Sequence, residues 1–318
     1  MVGQAKAFLS FAVQASKFAR GRKYDLVFAT SSRLMTAALG AYLSRRARCP
    51  LYLDIRDLFV DTIGDILPRT VAPAARVFFG IVERWTVRTA ETVNLVSRGF
   101  ESYFTARYPR VRLNWFTNGI DDDFTEVDAS PAKVRPAESA VRVVYAGNIG
   151  EGQGLHAILP ELAQRLGDKT SFIIIGDGGR RAQLVEQLAA AGVSNVELRA
   201  PVKRDQLIEE YRAADVLFLH LNDHAAFERV LPSKIFEYAA MGKPIWAGVA
   251  GYAASFLMQE VSNSAVFRPC DADDALRAFD ELELIDAPRI AFVQKFARTD
   301  IMRRMAHDVL RTLERCRS

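Results

Sequence analysis

Ser233, Lys234 and Glu237 are spaced so that one face of a helical turn would carry a hydroxyl, an ammonium and a carboxylate. They lie in FERVLPSKIFEYAAMGKPIWAG, residues 227–248. Pro232 suits the first helical position, where a missing N–H costs nothing. Gly242 suits the position after the last turn, and Pro244 cannot continue the helix. The start of such a helix carries free N–H groups and a positive partial charge. A lysine and a hydroxyl beside it make an anion site fit for a phosphate. Glu237 can instead accept hydrogen bonds from sugar hydroxyls. A phosphate cradle next to a diol acceptor is the polar inventory of a nucleotide diphosphate sugar. Pro-Ser-Lys followed by Glu is equally an ordinary helix cap, so the segment needs support from elsewhere in the chain.

Two glycine-rich strand ends give that support. YAGNIGEGQG, residues 145–154, follows an apolar strand and precedes a helix. Its Gly147 and Gly150 let the backbone approach a ligand closely, with Asn148 between them. Ile175-Gly176-Asp177-Gly178-Gly179 is a second such turn. Neither has the spacing of a dinucleotide fingerprint, and no acidic ribose partner follows about 20 residues on, so a nicotinamide cofactor is not indicated. Asp121-Asp122-Asp123 contains the Asp-x-Asp pair that can hold a metal, but it follows the turn signal Asn118-Gly119. His220 and His224 are four apart in a segment that reads as strand, so they need not share a face and do not specify zinc.

These residues have to be positioned by a repeating α/β framework. Strand candidates are YDLVFAT (24–30), 51–55, 92–96 and 113–116, then VRVVYAG, SFIIIG, VELRA, DVLFLHL, PIWAG and AVFRP. Helical segments separate them, which implies parallel sheets. A loop through Gly64 and Pro68 precedes the long helix 74–89, and DASPAKVRPAESA, residues 128–140, reads as a linker. Two Rossmann-like domains are expected, 1–133 and 134–298, with 299–318 a helix crossing back to the first. A ligand cleft is expected outside the carboxyl ends of their strands.

Composition narrows the class. The chain has 318 residues, half hydrophobic and a quarter charged, as expected of a globular protein. Cys49, Cys270 and Cys316 are far apart, which points to a reducing compartment without structural disulfides. No apolar run approaches the length of about 18 residues that spans a bilayer. Residues 4–20 read as an amphipathic helix rather than a signal peptide. Residues 1–120 hold 18 Lys and Arg against 8 Asp and Glu. Without RNA-binding or finger signatures, this basic half favours an anionic membrane surface over nucleic acid, although a merely solvated basic face fits equally.

Taken together, Asn118-Gly-Ile-Asp121, Tyr145-Ala-Gly-Asn-Ile-Gly150, Ile175-Gly-Asp-Gly178, Tyr211-Arg-Ala-Ala-Asp215 and Phe227-Glu-Arg-Val-Leu-Pro-Ser-Lys-Ile-Phe-Glu237 resemble glycosyltransferase family 4. The branch that adds N-acetylated amino sugars, N-acetylfucosamine among them, to bacterial O-antigen or capsule precursors is the most similar. Asp54-Ile-Arg-Asp-Leu58 also resembles that branch.

The resemblance implies the GT-B fold of two facing Rossmann-like domains and retaining transfer from a UDP-sugar, with no cofactor and no metal. It also implies a lipid-linked saccharide acceptor at the cytoplasmic face of the membrane. Carried over by position, Glu237 would bind the ribose and Glu228 the donor sugar. Ser233 and Lys234 would hold the diphosphate, with Gly147, Asn148 and Gly150 close to it. Arg56 and Asp57 would face the donor sugar. Asn148 and Gln153 stand where many members carry a basic pair, and the acidic pair Glu228/Glu237 is spaced nine apart rather than eight.

The family pattern also begins with a strand and a Gly-rich loop that have no counterpart here. The first domain is therefore expected to be truncated, with self-association or a partner supplying the remainder. A UDP-sugar 2-epimerase of the same fold and an inactive nucleotide-sugar-binding remnant are the alternatives.

Overall fold

The computed structural model describes residues 2–31, 33–58, 60, 72–125 and 139–317. The expected linker and the loop through Gly64 and Pro68 lie largely or wholly outside these residues. The chain divides into one unit of Met1–Thr117 with Ile301–Ser318, and a second of Asn118–Asp300.

The first unit is built on a parallel sheet of order β1-β2-β3-β4. Its strands are β1 (Val27–Ser31), β2 (Leu51–Ile55), β3 (Thr92–Leu95) and β4 (Arg112–Asn114). All five residues of β2 and all four of β3 are buried, which explains why they are mostly apolar, with Asp54, Thr92 and Asn94 as buried polar exceptions. Its helices are α1 (Val2–Phe18), α2 (Leu34–Ala47), α3 (Ala72–Thr89) and α4 (Glu101–Arg107). α2 buries Ala37, Ala38, Gly40 and Ala41, and a Cβ at Gly40 would collide with Ala29 on β1. Small residues there let the helix approach the sheet closely.

The second unit holds a parallel sheet of order β10-β9-β8-β5-β6-β7. Its strands are β5 (Val141–Ala146), β6 (Thr170–Ile175), β7 (Val196–Arg199), β8 (Val216–His220), β9 (Ile245–Gly248) and β10 (Ser264–Phe267). Between and after them come α5 (Leu155–Leu166), α6 (Arg181–Ala190), α7 (Arg204–Ala213), α8 (Lys234–Ala240), α9 (Gly251–Glu260), α10 (Ala272–Asp280), α11 (Ile290–Lys295) and α12 (Arg298–Arg317). Phe172, Phe218, Trp246 and Phe267 fill the core beside β5 and β6.

The units divide at Thr117/Asn118, and the expected boundary at 133/134 lies outside the described residues. Local pairing sets the division. The Ile120 N–H donates to the Phe296 carbonyl at 2.8 Å, and the Arg298 N–H donates to the Ile120 carbonyl at 2.9 Å. Asp121 ion-pairs with both Arg204 and Arg298. The segment after Asn118 is thus laced into the second unit before the expected linker begins. α12 starts in that unit, and its residues from Ile301 onward belong to the first, where Thr312 bonds Thr92 and Asp308 accepts from Tyr52.

Candidate functional site

In the second unit the site is assembled from three chain turns at the carboxyl ends of β5 and β6 and at the start of α8. Parallel strands aim their following loops to one edge of the sheet, so residues far apart in sequence converge there. The Gly147 N–H donates to the Ile175 carbonyl, and the Ile149 N–H donates to the Asp177 carbonyl, both at 2.8 Å. The two glycine-rich turns therefore form one surface. A Cβ at Gly176 would collide with the Gly147 carbonyl, which is why this crossing takes no larger residue.

Lys234 enters the surface from α8. A Cβ at Gly147, whose φ is 150°, would collide with the Lys234 ammonium. The Lys234 Nζ also lies 5.3 Å from the centre of the Tyr145 ring. Tyr145, Tyr211 and Tyr238 are buried beneath it. The Tyr145 hydroxyl donates to the Asn148 carbonyl at 2.6 Å, so it holds the glycine-rich turn as well as supporting the lysine. Burial pushes the Lys234 pKa down, and Glu237 opposes that shift. Burial pushes the Glu237 carboxyl up, against the charges of Lys234, Arg204 and Arg298. An ammonium and a carboxylate thus share one partly desolvated face, where each strengthens the charge of the other.

Ser233 is exposed, and its side chain makes no capping bond to α8, so the plain helix-cap reading of this segment does not hold. Asn148 donates to the Gln153 side chain at 2.7 Å, so the neutral pair closes on itself. Gly150 is buried beneath the Asn148 side chain, and Asp177 is exposed at the tip of the second turn. Glu228 is exposed in the 3-10 turn Ala225–Arg229. The far end of α8 is held by Arg289, which donates to the carbonyls of Ala239, Lys243, Ser262 and Asn263. Burial lowers the Arg289 pKa to about 10.

The Asp-x-Asp carboxylates are engaged by arginine: Arg204 ion-pairs with Asp121 and with Asp123. His220 is wholly buried beside the rings of Phe218 and Phe267. Its Nδ1 lies 2.7 Å from the Gln153 carbonyl, and its Nε2 accepts from the Cys270 N–H at 3.0 Å. Both ring nitrogens are used, so this histidine supports the glycine-rich turn from below. His224 lies apart from it, near Glu151 and Phe227.

In the first unit, Arg56 and Asp57 follow β2. The Arg56 Nε lies 3.2 Å from both Asp54 and Thr30. Asp54 also accepts from the Thr30 hydroxyl at 2.8 Å and from the Asn94 amide at 2.7 Å. Asn94 exchanges bonds with the Phe116 backbone. Strand register makes this row, since Thr30 pairs with Asp54 and Asp54 with Asn94. A buried carboxylate with three donors thus fixes the root of Arg56. The signal in the sequence was a single polar residue inside each of two apolar strands, LYLDI and TVNL.

Residues 140–283 match the family model of glycosyl transferases group 1, and residues 3–119 that of the glycosyl transferase 4-like domain. WcaI, described as a colanic acid biosynthesis glycosyl transferase of Escherichia coli strain K12, is 32% identical over 118 residues. That match spans 37% of this chain and 28% of the relative's length. Among solved structures, HepE of Anabaena in complex with UDP-glucose has a TM-score of 0.72 at 17% identity, covering 94% of this chain and 81% of that one. Sucrose-phosphate synthase from Thermosynechococcus elongatus has a TM-score of 0.70 at 15% identity, covering 96% and 78%. At such identities the structural likeness is one of fold. With two family models spanning most of the sequence over two parallel-sheet units, the chain belongs to glycosyltransferase family 4, with the GT-B fold.

Proposed function

We propose that this protein transfers a sugar, with retention of configuration, from a UDP-sugar to a lipid-linked saccharide in bacterial surface polysaccharide synthesis. An N-acetylated amino sugar is the donor group that the 54–58 and 227–237 segments favour. The observation that carries the reading is the Lys234 ammonium seated against Gly147, with Glu237 one turn further along α8. Lys234 and Ser233 bind the diphosphate, and Glu237 accepts from the ribose hydroxyls. The acceptor hydroxyl attacks the anomeric carbon on the face that UDP leaves. The C–O bond to the phosphate breaks, and the departing phosphate oxygen takes the acceptor's proton. The Asp-x-Asp carboxylates are engaged by Arg204, so charge on the leaving diphosphate is balanced by Lys234 without a metal. Arg56, Asp57 and Glu228 are assigned to the donor sugar. The chain acts at the inner face of the membrane. HepE, whose structures hold UDP and UDP-glucose, supports the donor class.

Glu237→Ala is the direct test of the donor site. Hydrogen bonds to a charged group contribute about 1.5–3 kcal/mol. The variant should bind UDP roughly 10- to 100-fold more weakly in a calorimetric titration, with the fold retained. Unchanged affinity would remove Glu237 from the site and leave the ribose without its acceptor.

Asp54 supplies a second test, in the first unit. Asp54→Asn keeps the side chain's shape and removes the charge that anchors Arg56. In a double-mutant cycle with Arg56→Ala, read as kcat/KM, the two changes should couple by about 1 kcal/mol, because an absent arginine cannot be misplaced. UDP affinity should not move in any of the three variants. Additive effects would mean that Asp54 acts on the fold alone.

A further inference from the structure

We infer that the side-chain amides of Asn148 and Gln153 select the donor by reading a neutral hydrogen-bonding group on its sugar, an acetamide or a hydroxyl, and do not hold the diphosphate. The two amides bond each other at 2.7 Å. Whichever of them donates, the bond uses one N–H and one carbonyl oxygen. One whole NH2 group and one carbonyl oxygen are left over. Neither has a partner among the described residues. The pair is fixed from both ends. The buried Tyr145 hydroxyl donates to the Asn148 carbonyl at 2.6 Å, and the buried His220 ring lies 2.7 Å from the Gln153 carbonyl. The Asn148 amide also lies against Gly150 and Gly178, where a Cβ at either position would collide with it. Groups held in this way lose little freedom when they meet a ligand.

The turn that carries the pair meets a different neighbour at each end. At Gly147 it meets the Lys234 ammonium, and at Gly152 it meets the Phe227 ring, 3.0 Å from where a Cβ would stand. The Gly152 carbonyl also accepts from the Asn222 N–H at 2.9 Å. Phe227 precedes Glu228 in the 3-10 turn assigned to the donor sugar. The carboxylate within the glycine-rich turn, Glu151, is engaged by Arg180. The turn thus has a cation against one end and a neutral donor–acceptor pair toward the other. That division selects the ligand of each. Phosphate oxygens only accept, so a diphosphate would satisfy the free NH2 group and set negative charge against the free carbonyl oxygen. A secondary amide carries one N–H and one carbonyl, and a hydroxyl both donates and accepts, so either matches both free groups. A sugar lacking such a group is rejected, because the protein's own polar groups are then left unpaired. This role rests on the UDP-sugar donor proposed for the site, and it concerns which sugar is recognised, not whether UDP binds.

The test is calorimetric titration of the full chain with UDP, UDP-glucose and UDP-N-acetylglucosamine. Asn148→Ala removes one amide, and Gln153→Met keeps the side chain's length without its polar atoms. In both variants UDP should bind as in the unaltered chain, which also shows that they are folded. The affinity for a UDP-sugar relative to UDP should fall roughly 3- to 10-fold, the effect of losing one neutral hydrogen bond. A fall confined to UDP-N-acetylglucosamine identifies the group as the acetamide, and an equal fall for UDP-glucose identifies a sugar hydroxyl. If the variants weaken UDP and both UDP-sugars by the same factor, the pair holds the diphosphate and the proposal is overturned. Three affinities that do not move in either variant would overturn it as well, because the pair would then only shape the turn. Both of those outcomes leave the UDP site standing. Absence of UDP binding by the unaltered chain would instead remove the donor site itself, and the role of the pair with it.

Discussion

Replacing Lys234 with methionine is expected to lower kcat by roughly 100- to 1000-fold, the usual effect of removing one preorganised donor to developing charge. Methionine keeps an unbranched side chain of similar length and removes the charge. In the proposed reaction the effect belongs on kcat, because the diphosphate gains negative charge as its bond to the sugar breaks. A cation that is already in place then stabilises the transition state more than the bound donor. Lys234 is preorganised in this sense, with its ammonium against Gly147 and over the ring of the buried Tyr145. Burial lowers its pKa, and the nearby Glu237 carboxylate works to keep it charged. Gly147→Ala should reproduce much of the loss, because the new Cβ would occupy the position of the ammonium. Both variants should be followed by initial rates at saturating donor. If Lys234→Met retains kcat and raises only KM, the lysine binds donor and transition state equally, and charge stabilisation must come from another group.

The parts of this site that could be read from the chain are those whose spacing lies within one element. Lys234 and Glu237 are three apart on α8, and the glycine-rich turns follow largely apolar strands, so types and periodicity alone point to them. The order of strands and helices was legible for the same reason. What could not be read depends on register and on contacts between distant segments. Nothing in LYLDI or TVNL says that Asp54 will lie opposite Asn94, because that follows from how two parallel strands slide against each other. Arg289 closes the end of α8 from about 50 residues downstream, through carbonyls that carry no sequence signal. Asn148 and Gln153 were visible as departures from a basic pair, but their bond to each other was not. Pro-rich composition marks a linker around 133/134, outside the described residues, but it does not show that Ile120 pairs with Ala297.

His220 should make the second unit acid-sensitive in a defined window. The imidazole is fully buried and donor-acceptor matched as a neutral ring, and burial pushes its pKa down to about 4 from 6.5. Above pH 6.5 the ring is neutral in the folded and the unfolded chain, and its contribution to stability is fully present. As pH falls below 6.5 the unfolded chain takes up a proton that the folded chain refuses, so stability is lost until the folded ring itself titrates near 4. At about 1.4 kcal/mol per pH unit, the full window is worth about 3 kcal/mol, of which about 2 kcal/mol is lost between about pH 7 and about pH 5. Hydrogen exchange along β8 reads the opening free energy of this unit by itself. His220→Gln, which cannot titrate there, should show a slope shallower by that amount, although its stability at neutral pH will be lower because one of two buried bonds is lost. Should the variant fail to fold, the ring can be titrated directly by NMR in the unaltered chain. Equal slopes, or an imidazole that titrates near 6.5, would mean that water reaches β8. The support this histidine gives Gln153 and the glycine-rich turn would then be far looser than the hydrogen bonds at 2.7 and 3.0 Å require.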